Sequence, residues 1–600
     1  MKKPVKIILH GIWILLLLSA LIIGISWRRM ARDDQQHTRF YEAGSSINGF
    51  LKAYSLALKH AWEQDDPSAI LAFYAPDYAA SGRGDWAFGA DTAVGDVVWK
   101  PLETEGRRDY TRTELAEALS GYLGGLSKLD VVRHKIDLIE SVDFDNAAVL
   151  TVKHVLGGFD QQGNKFEDLI FTRWHLRVDP DMHGHAWLIT RDELVQGARA
   201  LGSGKVFEEL ALPTAGIDFV HRRDPKLDKK KYGAQLAFGV IEHATGGVSA
   251  VDYDGDTRPD LFFTDGVASK LYHNETLEGR PVVFRDVTAQ SGLQDLDQAV
   301  SGLWADFDND GDQDLYVTRY MVANRLYINN GNNSFEERGA AMGLDHVGPS
   351  ISATLLDYNR DGYQDIYLAR NGNAYEAFPR LPFFARNGEA NMLFRNDAGT
   401  GFTDVTAQSG TGDTGWSLAV AAGDFNGDGW YDLMVANDFG RKNLYRNNGD
   451  GSFSEIAHKA GVLDFSGGMG VTFGDFNDDG RLDVYTSNIK SNQRWFGEDV
   501  TIKQYIRNVM RSKWFLRDMG EYMALHDLVG DAWVDLGQQV GEGNSMFYNN
   551  GDETFNEQKD SNSNQAGWGW SVVAFDMDND TDLDIYAVNG WISAKPDTDL

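Results

Sequence analysis

DFDNDGDQD, from Asp306 to Asp314, and DFNGDGWYD, from Asp424 to Asp432, are two of six copies of one acidic nonapeptide. The others are DYDGDTRPD (Asp252 to Asp260), DYNRDGYQD (Asp357 to Asp365), DFNDDGRLD (Asp475 to Asp483) and DMDNDTDLD (Asp576 to Asp584). Side chains at positions 1, 3, 5 and 9 converge only if the backbone coils round a hard cation, because carboxylates crowded this closely otherwise repel one another. Calcium suits such a loop, since it accepts about six to eight oxygens in flexible geometry, a backbone carbonyl among them. The expected side-chain ligands are Asp252, Asp254, Asp256 and Asp260, then Asp306, Asp308, Asp310 and Asp314. Asp357, Asn359, Asp361 and Asp365 make the third set, and Asp424, Asn426, Asp428 and Asp432 the fourth. Asp475, Asn477, Asp479 and Asp483 make the fifth, and Asp576, Asp578, Asp580 and Asp584 the sixth. The carbonyls would come from position 7: Arg258, Asp312, Tyr363, Trp430, Arg481 and Asp582. Up to six calcium ions follow. Gly311, Gly362, Gly429 and Gly480 supply the sharp turn at position 6, whereas Thr257 and Thr581 stand there in the first and last copies and mark the weaker loops.

The first ligands are spaced by 54, 51, 67, 51 and 101 residues, so a unit of 51 residues recurs, with insertions in the longer intervals. A fixed period of this length signals a propeller or a solenoid. Each unit reads as an outer segment (Phe207-Glu-Glu, Phe284-Arg-Asp, Phe335-Glu-Glu and their repeats) followed by a Gly-rich strand into the metal loop. A strand such as DLMV (Asp432 to Val435) follows the loop, and then a hairpin strand such as NLYRNNG (Asn443 to Gly449). Four short strands joined by Asn-Gly and Asp-Gly turns make a propeller blade.

These residues resemble the VCBS/FG-GAP repeat family, and the larger pattern is similar to the cartilage acidic protein-like group. The resemblance covers about residues 207 to 600 and implies a calcium-binding β-propeller of six or seven blades, used for recognition or adhesion rather than catalysis. No hairpin strand follows Asn589, so the last blade is expected to be incomplete, with the natural chain running on.

Extra length collects at one connection, between the strand after the loop and the hairpin strand. The third repeat carries an insert at 371–390, with the aromatics Phe378, Phe383 and Phe384, and the fifth carries one at 498–543. The latter has a basic, helix-like run containing Arg507, Arg511 and Trp514. On the face opposite the metal loops these groups would form a docking patch for a protein or glycan. The alternative is a cap that buries its aromatics within the chain.

The formal net charge is −33, most of it from the aspartate ladders, and six divalent ions would return about a third of it. So acidic a chain excludes nucleic acid as a general partner. There is no cysteine, hence neither disulfide nor thiolate chemistry. Ile7 to Trp27 is an uncharged stretch long enough for one membrane span, read as an uncleaved signal-anchor at 1–30. Extracellular loops of this kind bind calcium at roughly 10⁻⁴ to 10⁻³ M, which places the body outside the cytoplasm, in the periplasm of a Gram-negative cell.

Residues 45–196 form a second domain. Ile47, Leu51, Tyr54, Leu58 and Trp62 have helical spacing, Asp66-Pro67 opens a second helix ending near Tyr74, and Thr111-x-x-Glu114 is a capping box. Strands are expected at 131–142, 146–156, 166–178 and 186–192, with 197–206 as linker. Three helices before a curved antiparallel sheet resemble the nuclear-transport-factor-like cone fold, with its SnoaL-like enzyme branch, which implies a small-molecule pocket. Val132, His134, Ile136 and Leu138 share one strand face, as do Leu150, Val152, His154 and Leu156. His134 and His154 are candidate general bases titrating near neutrality, with Trp174 and Tyr122 lining the same cavity; the bland alternative is a pair of hydrogen-bonded core histidines. No metalloprotease or nucleophile-elbow motif occurs, and Arg83-Gly84-Asp85 is too short to carry weight. The chain reads as a membrane-anchored recognition module, with an enzyme acting in the cone pocket or propeller channel as the competing class.

Overall fold

The computed structural model describes residues 43–44, 46–79, 88–89, 92–94, 97–102, 110–143, 146–178, 187–202, 213–222, 246–373, 379, 384–489, 515–530, 542–559, 563, 569–577 and 581–589. The apolar stretch at 7–27 lies outside them, and among the described residues no helix is long and apolar enough to cross a membrane. Two compact units divide at Glu208 and Glu209.

In the first unit, helix α1 (46–64) buries Ile47, Leu51, Tyr54 and Leu58, as its spacing demands. Helix α2 (Ser68–Leu71) stops a turn short of the expected end; the Asp66 carboxylate accepts from the Ser68 amide at 2.9 Å. Helix α3 (Arg112–Gly124) starts at the Thr111/Glu114 capping box read from the sequence. The antiparallel sheet has six strands, in the order β1-β2-β6-β5-β4-β3. These are β1 (Thr92–Val94), β2 (Val97–Pro101), β3 (Leu126–Asp143), β4 (Ala147–Asp160), β5 (Lys165–Val178) and β6 (Trp187–Gly202). The first two were not expected: they are short and joined by only two residues, too little alternation to register. Residues 197–202, read as linker, are the end of β6. There Arg199 makes a two-pronged ion pair with the fully buried Asp168 at 2.6 and 2.7 Å, which holds the strand in the sheet.

The second unit is mainly β. Its first five metal-loop repeats each form a four-stranded antiparallel meander, and the sixth contributes a described pair, Gly569–Phe575 with Asp584–Asn589. In the fourth repeat the strands are Ser417–Gly423, Asp432–Asn437, Asn443–Asn447 and Phe453–Glu455. The outer Phe strand therefore closes the sheet of the loop before it, with Asn447 opposite Phe453, rather than opening the next unit. The tight Asn-Gly turn forces that pairing, and Phe207 accordingly precedes the first repeat; it lies outside the described residues. The first strands of successive repeats pack side by side. Apolar cores sit between consecutive repeats: Phe307, Tyr316 and Leu326 of the second pack with Ile366, Phe394 and Phe402 of the third. This arrangement is consistent with a β-propeller.

Three recurring contacts bind repeat to repeat. The aromatic at position 2 of each of the first four loops meets the outer Phe of the next repeat, as in Phe307 with Phe402 and Phe425 with Phe555, at 5.7 and 5.5 Å between ring centres. After the outer strands of the second, third and fourth repeats a helical turn ends on a left-handed glycine. A Cβ on Gly343 or Gly461 would lie 2.8 or 2.9 Å from the carbonyl oxygen of Phe402 or Phe555 in the following repeat. Finally, the first Asn of each hairpin turn reaches back to the previous metal loop. Asn329, Asn396, Asn447 and Asn549 donate through Nδ2 to the carbonyls of Tyr253, Phe307, Tyr358 and Phe425 at 2.8 to 3.2 Å.

One position varies between repeats. Asn324, Asn391 and Asn544 occupy equivalent positions ahead of the hairpin strands, whereas the first repeat has Ser269 and the fourth has Lys442. This lysine is fully buried and pairs with Asp464 of the next repeat at 2.7 Å.

Asn447→Ala strands the buried Tyr358 carbonyl and should cost about 1–3 kcal/mol in urea unfolding. The exposed neighbour change Asn448→Ala should cost under about 0.5 kcal/mol; equal losses would remove the asparagine staple as a source of stability.

Candidate metal-binding loops

Position 1 in each loop is a hydrogen-bond acceptor for the turn itself. In the fourth loop Asp424 Oδ1 accepts from the Asp428 amide at 3.0 Å and Oδ2 from the Gly429 amide at 2.8 Å. Asp428 Oδ1 accepts from the Trp430 amide at 2.9 Å. The same pattern recurs in the second, third and fifth loops. Glycine at position 6 has φ between 81° and 100° in these four loops, and Thr257 and Thr581 adopt the same left-handed region at 70° and 81°. That region is strained for a β-branched residue.

Position 9 is different in kind. Asp314, Asp365 and Asp432 are fully buried, and each accepts two amides: one from position 2 of its own loop and one from the hairpin asparagine. Burial pushes the carboxyls of all three up to about 7. Two amide donors do not offset the loss of water, so a cation at the loop would stabilise the charged form.

Whether the residues present fit such an ion can be tested loop by loop. In the second, third and fourth loops no basic side chain of the described residues pairs with the acids, and the Asp308 Oδ1 atom is buried without a hydrogen-bond partner. Asp306, Asp308 and Asp314 bring carboxylate oxygens within 4.8 Å of one another. These loops fit. In the fifth, Arg481 pairs with Asp479 at 2.7 Å but leaves Asp475, Asn477 and Asp483 to a cation. The first loop also brings Asp252, Asp254 and Asp256 within 4.8 Å of one another, but protein groups already stand among its carboxylates. Arg258 pairs with Asp256, while His273 Nδ1 lies 3.1 Å from Asp260 and 3.3 Å from Asp254. In the sixth, Asp576 and Asp584 accept the Thr581 and Met577 amides at 2.9 Å, and Asp578 and Asp580 lie outside the described residues.

The expected docking patch changes. Phe378, Phe383, Arg507, Arg511 and Trp514 lie outside the described residues, but Phe384 is 3% exposed and packs edge-on against Phe465, 6.1 Å between ring centres. The helix Phe515–Val529 of the second insert buries Leu525 and Val529 in the same core. Arg386 beside the first insert and Glu521 in the second form an ion pair at 2.7 Å. Phe384 is thus a core residue joining two inserts, not a docking residue. Burial between neighbouring elements was the stronger pull on so large an apolar ring.

In the first unit the two histidines face each other, with ring centres 4.8 Å apart, and Trp174 flanks His154 at 5.4 Å. Ser55 donates its hydroxyl to the Leu51 carbonyl at 2.9 Å, so it accepts from His134 Nδ1–H at 2.7 Å, which leaves His134 Nε2 as a buried lone pair. Burial drives the His134 pKa down to about 3, so it is a neutral core imidazole and not a base titrating near neutrality. His154 Nε2 meets Thr172 Oγ1 at 2.6 Å. Tyr122 is not with them: it donates to Asp168 at 2.5 Å beside Arg199. Leu138 also leaves the expected face, because a bulge after Ile136 turns Ile139 inward in its place.

Sequence reasoning missed the position-2 aromatics and the hairpin asparagines. Both recur in register with the ladder, which was the available signal. Phe384→Ala should lower stability by about 3 kcal/mol in urea unfolding, as expected for a buried aromatic; a loss under about 1 kcal/mol would return it to the surface.

Residues 252–317, 306–368, 383–435, 424–486 and 527–587 match the FG-GAP-like repeat. Human cartilage acidic protein 1 is 26% identical over 275 residues, covering 42% of this chain and 39% of that protein. The Xenopus tropicalis protein of the same name is 24% identical over 259 residues, covering 32% and 40%. The chain therefore spans about two fifths of the length of the curated relatives it matches. Among solved structures, an Agrocybe aegerita lectin described as recognising non-reducing terminal N-acetylglucosamine covers 68% of this chain and 79% of its own at 13% identity, with a TM-score of 0.29. A nuclear-transport-factor-2-like protein from Burkholderia thailandensis covers 24% and 87% at 17% identity, with a TM-score of 0.14. At these scores neither likeness carries an argument. Through its five matched repeats the chain belongs to the FG-GAP repeat family.

Proposed function

We propose that the second unit is a calcium-stiffened β-propeller that serves as an extracytoplasmic recognition or adhesion module for a protein or glycan, held at a membrane by the apolar segment at 7–27. The observation that carries the metal reading is the buried, unpartnered Asp308 Oδ1 among carboxylates that no basic side chain neutralises. Calcium would be held by the second to fifth loops. It would supply only charge compensation and rigidity, and the chain's own amides already fix the turns round it. The first loop is proposed to remain closed on Arg258 and His273. The FG-GAP-like repeats support recognition over catalysis, and the extracytoplasmic placement is proposed from the calcium level that such loops need.

A second reading keeps a small-molecule site in the first unit. His134 Nε2 is an acceptor without a partner, and the Trp174 indole N–H a donor without one, both beside Tyr54. A neutral ligand with one hydroxyl would satisfy both.

Elemental analysis of the purified chain should find calcium, and chelation should lower Tm by on the order of 10 °C, since several loops lose their ions together. No calcium and an unchanged Tm would end the metal reading. Paired changes separate the loops: Asp424→Asn with Asp428→Asn should remove one ion per chain, whereas Asp252→Asn with Asp256→Asn should leave the count unchanged. Loss of an ion in the second variant would show that the first loop also binds.

A further inference from the structure

At the ends of the first strands remote from the metal loops, each of the second to sixth repeats carries a bulge. The bulged residues are Val300, Ile351, Leu418, Met469 and Trp570. All five join one apolar cluster, so the bulges aim one side chain per repeat at a common centre. A second ring surrounds it. Tyr320, Asn371, Asp438 and Ile489 hold equivalent places at the far ends of the second strands, and their amides donate to Gln298, Pro349, Trp416 and Gly467 at 3.0 to 3.2 Å.

Only one of these four bears a charge. Asp438 is 7% exposed, and its Oδ1 has no hydrogen-bond partner. Asn371 in the neighbouring repeat is fully buried; its Nδ2 donates to the Trp416 and Ser417 carbonyls at 3.1 and 3.3 Å, and its Oδ1 is also without a partner. Asp438 donates its backbone amide to the same Trp416 carbonyl at 3.1 Å, so the Asp438 backbone and the Asn371 side chain meet at that oxygen. Two buried acceptors therefore flank that carbonyl, and among the described residues nothing donates to either. A buried carboxylate in this condition is costly unless it takes up a proton or a cation comes to it. Burial pushes its carboxyl up to about 7.

The surroundings restrict what that countercharge can be. A divalent metal needs about six oxygens or more, and only two are free. Water would meet the hydrogen bonds but leave the charge. Trp416 and Phe439 pack edge-to-face at 5.9 Å, with Ala385, Met469 and Ile489 in the same cluster. A cation with a hydrocarbon body matches both features: N–H donors for the two oxygens, methylenes for the apolar wall, and aromatic faces for the charge.

We propose that Asp438 and Asn371 anchor a binding site for an alkylammonium group at the end of the repeats opposite the metal loops, supplied either by a lysine of a partner protein or by a free amine. This deepens the recognition reading, on which the protein source rests, but it does not depend on calcium occupancy.

The test uses the full chain in saturating calcium. n-Butylammonium chloride is titrated by NMR saturation transfer, with n-butanol as the uncharged control. Binding of the amine at least tenfold tighter than the alcohol, reduced at least tenfold by Asp438→Asn with Tm retained or raised, is the expected result. No amine binding, equal binding of the alcohol, or equal amine binding by Asp438→Asn overturns the proposal. The comparison of amine with alcohol needs no variant, so it stands even if Asp438→Asn fails to fold. A lysine-containing peptide against its norleucine analogue then distinguishes the sources. A tighter peptide points to a partner's lysine and a weaker one to a free amine, and either supports the site. A peptide weaker than the free amine would leave the site intact while removing its support for a protein partner.

Discussion

The carboxylate at the ninth loop position is the joint on which the second unit is built. Its two oxygens take the amide of position 2 in the same loop and the amide of the hairpin asparagine. That asparagine donates its side chain to the position-2 carbonyl of the preceding loop. Position 2 is therefore gripped from both sides, by its own aspartate through N–H and by the next repeat through C=O. The result is a hydrogen-bonded belt linking loop to loop, with the position-2 aromatics packed beneath it. The asparagine side chains carry the belt from each repeat to the one before it, which is why a four-stranded sheet too small to bury its own faces is stable in series.

Charge explains why this joint is sensitive to its surroundings. A carboxylate accepting two amides in water would be more acidic than usual, yet these are less so, because burial outweighs the donors. The loops with three or more acids and no base paired to them among the described residues are thus held in a state that a cation would relieve. The first loop reaches a similar balance with Arg258, so one architecture admits two sources of positive charge.

Much of this was legible before any coordinates. Asp306 to Asp314 and its copies gave the period, the turns and the strand types, because each depends on a short-range rule: glycine at a left-handed position, alternation along a strand, an asparagine-glycine turn. The capping box at Thr111 was legible for the same reason. What stayed hidden is set by distant partners. Phe384 reads as an exposed aromatic until the helix at 515–529 covers it, and Leu138 reads as core until a bulge turns Ile139 inward. His134 reads as a base until burial in an aromatic cluster removes its charge. Asp438 gives no signal in the sequence at all, since only the repeat register reveals that it shares a ring with Tyr320, Asn371 and Ile489.

Lys442 has a consequence of another sort. In equivalent positions asparagine satisfies its own repeat and its neighbour with neutral hydrogen bonds, whereas Lys442 is matched to Asp464, which also accepts from Asn488 and Ser545 in the fifth repeat. A lysine buried there cannot be accommodated beside any repeat that lacks the aspartate. The fourth and fifth repeats are consequently a keyed pair: they cannot be shuffled, duplicated singly or exchanged within the array as their neighbours could. Recombination in such a chain would have to move the two together, so the boundary between them is the one least open to evolutionary cutting.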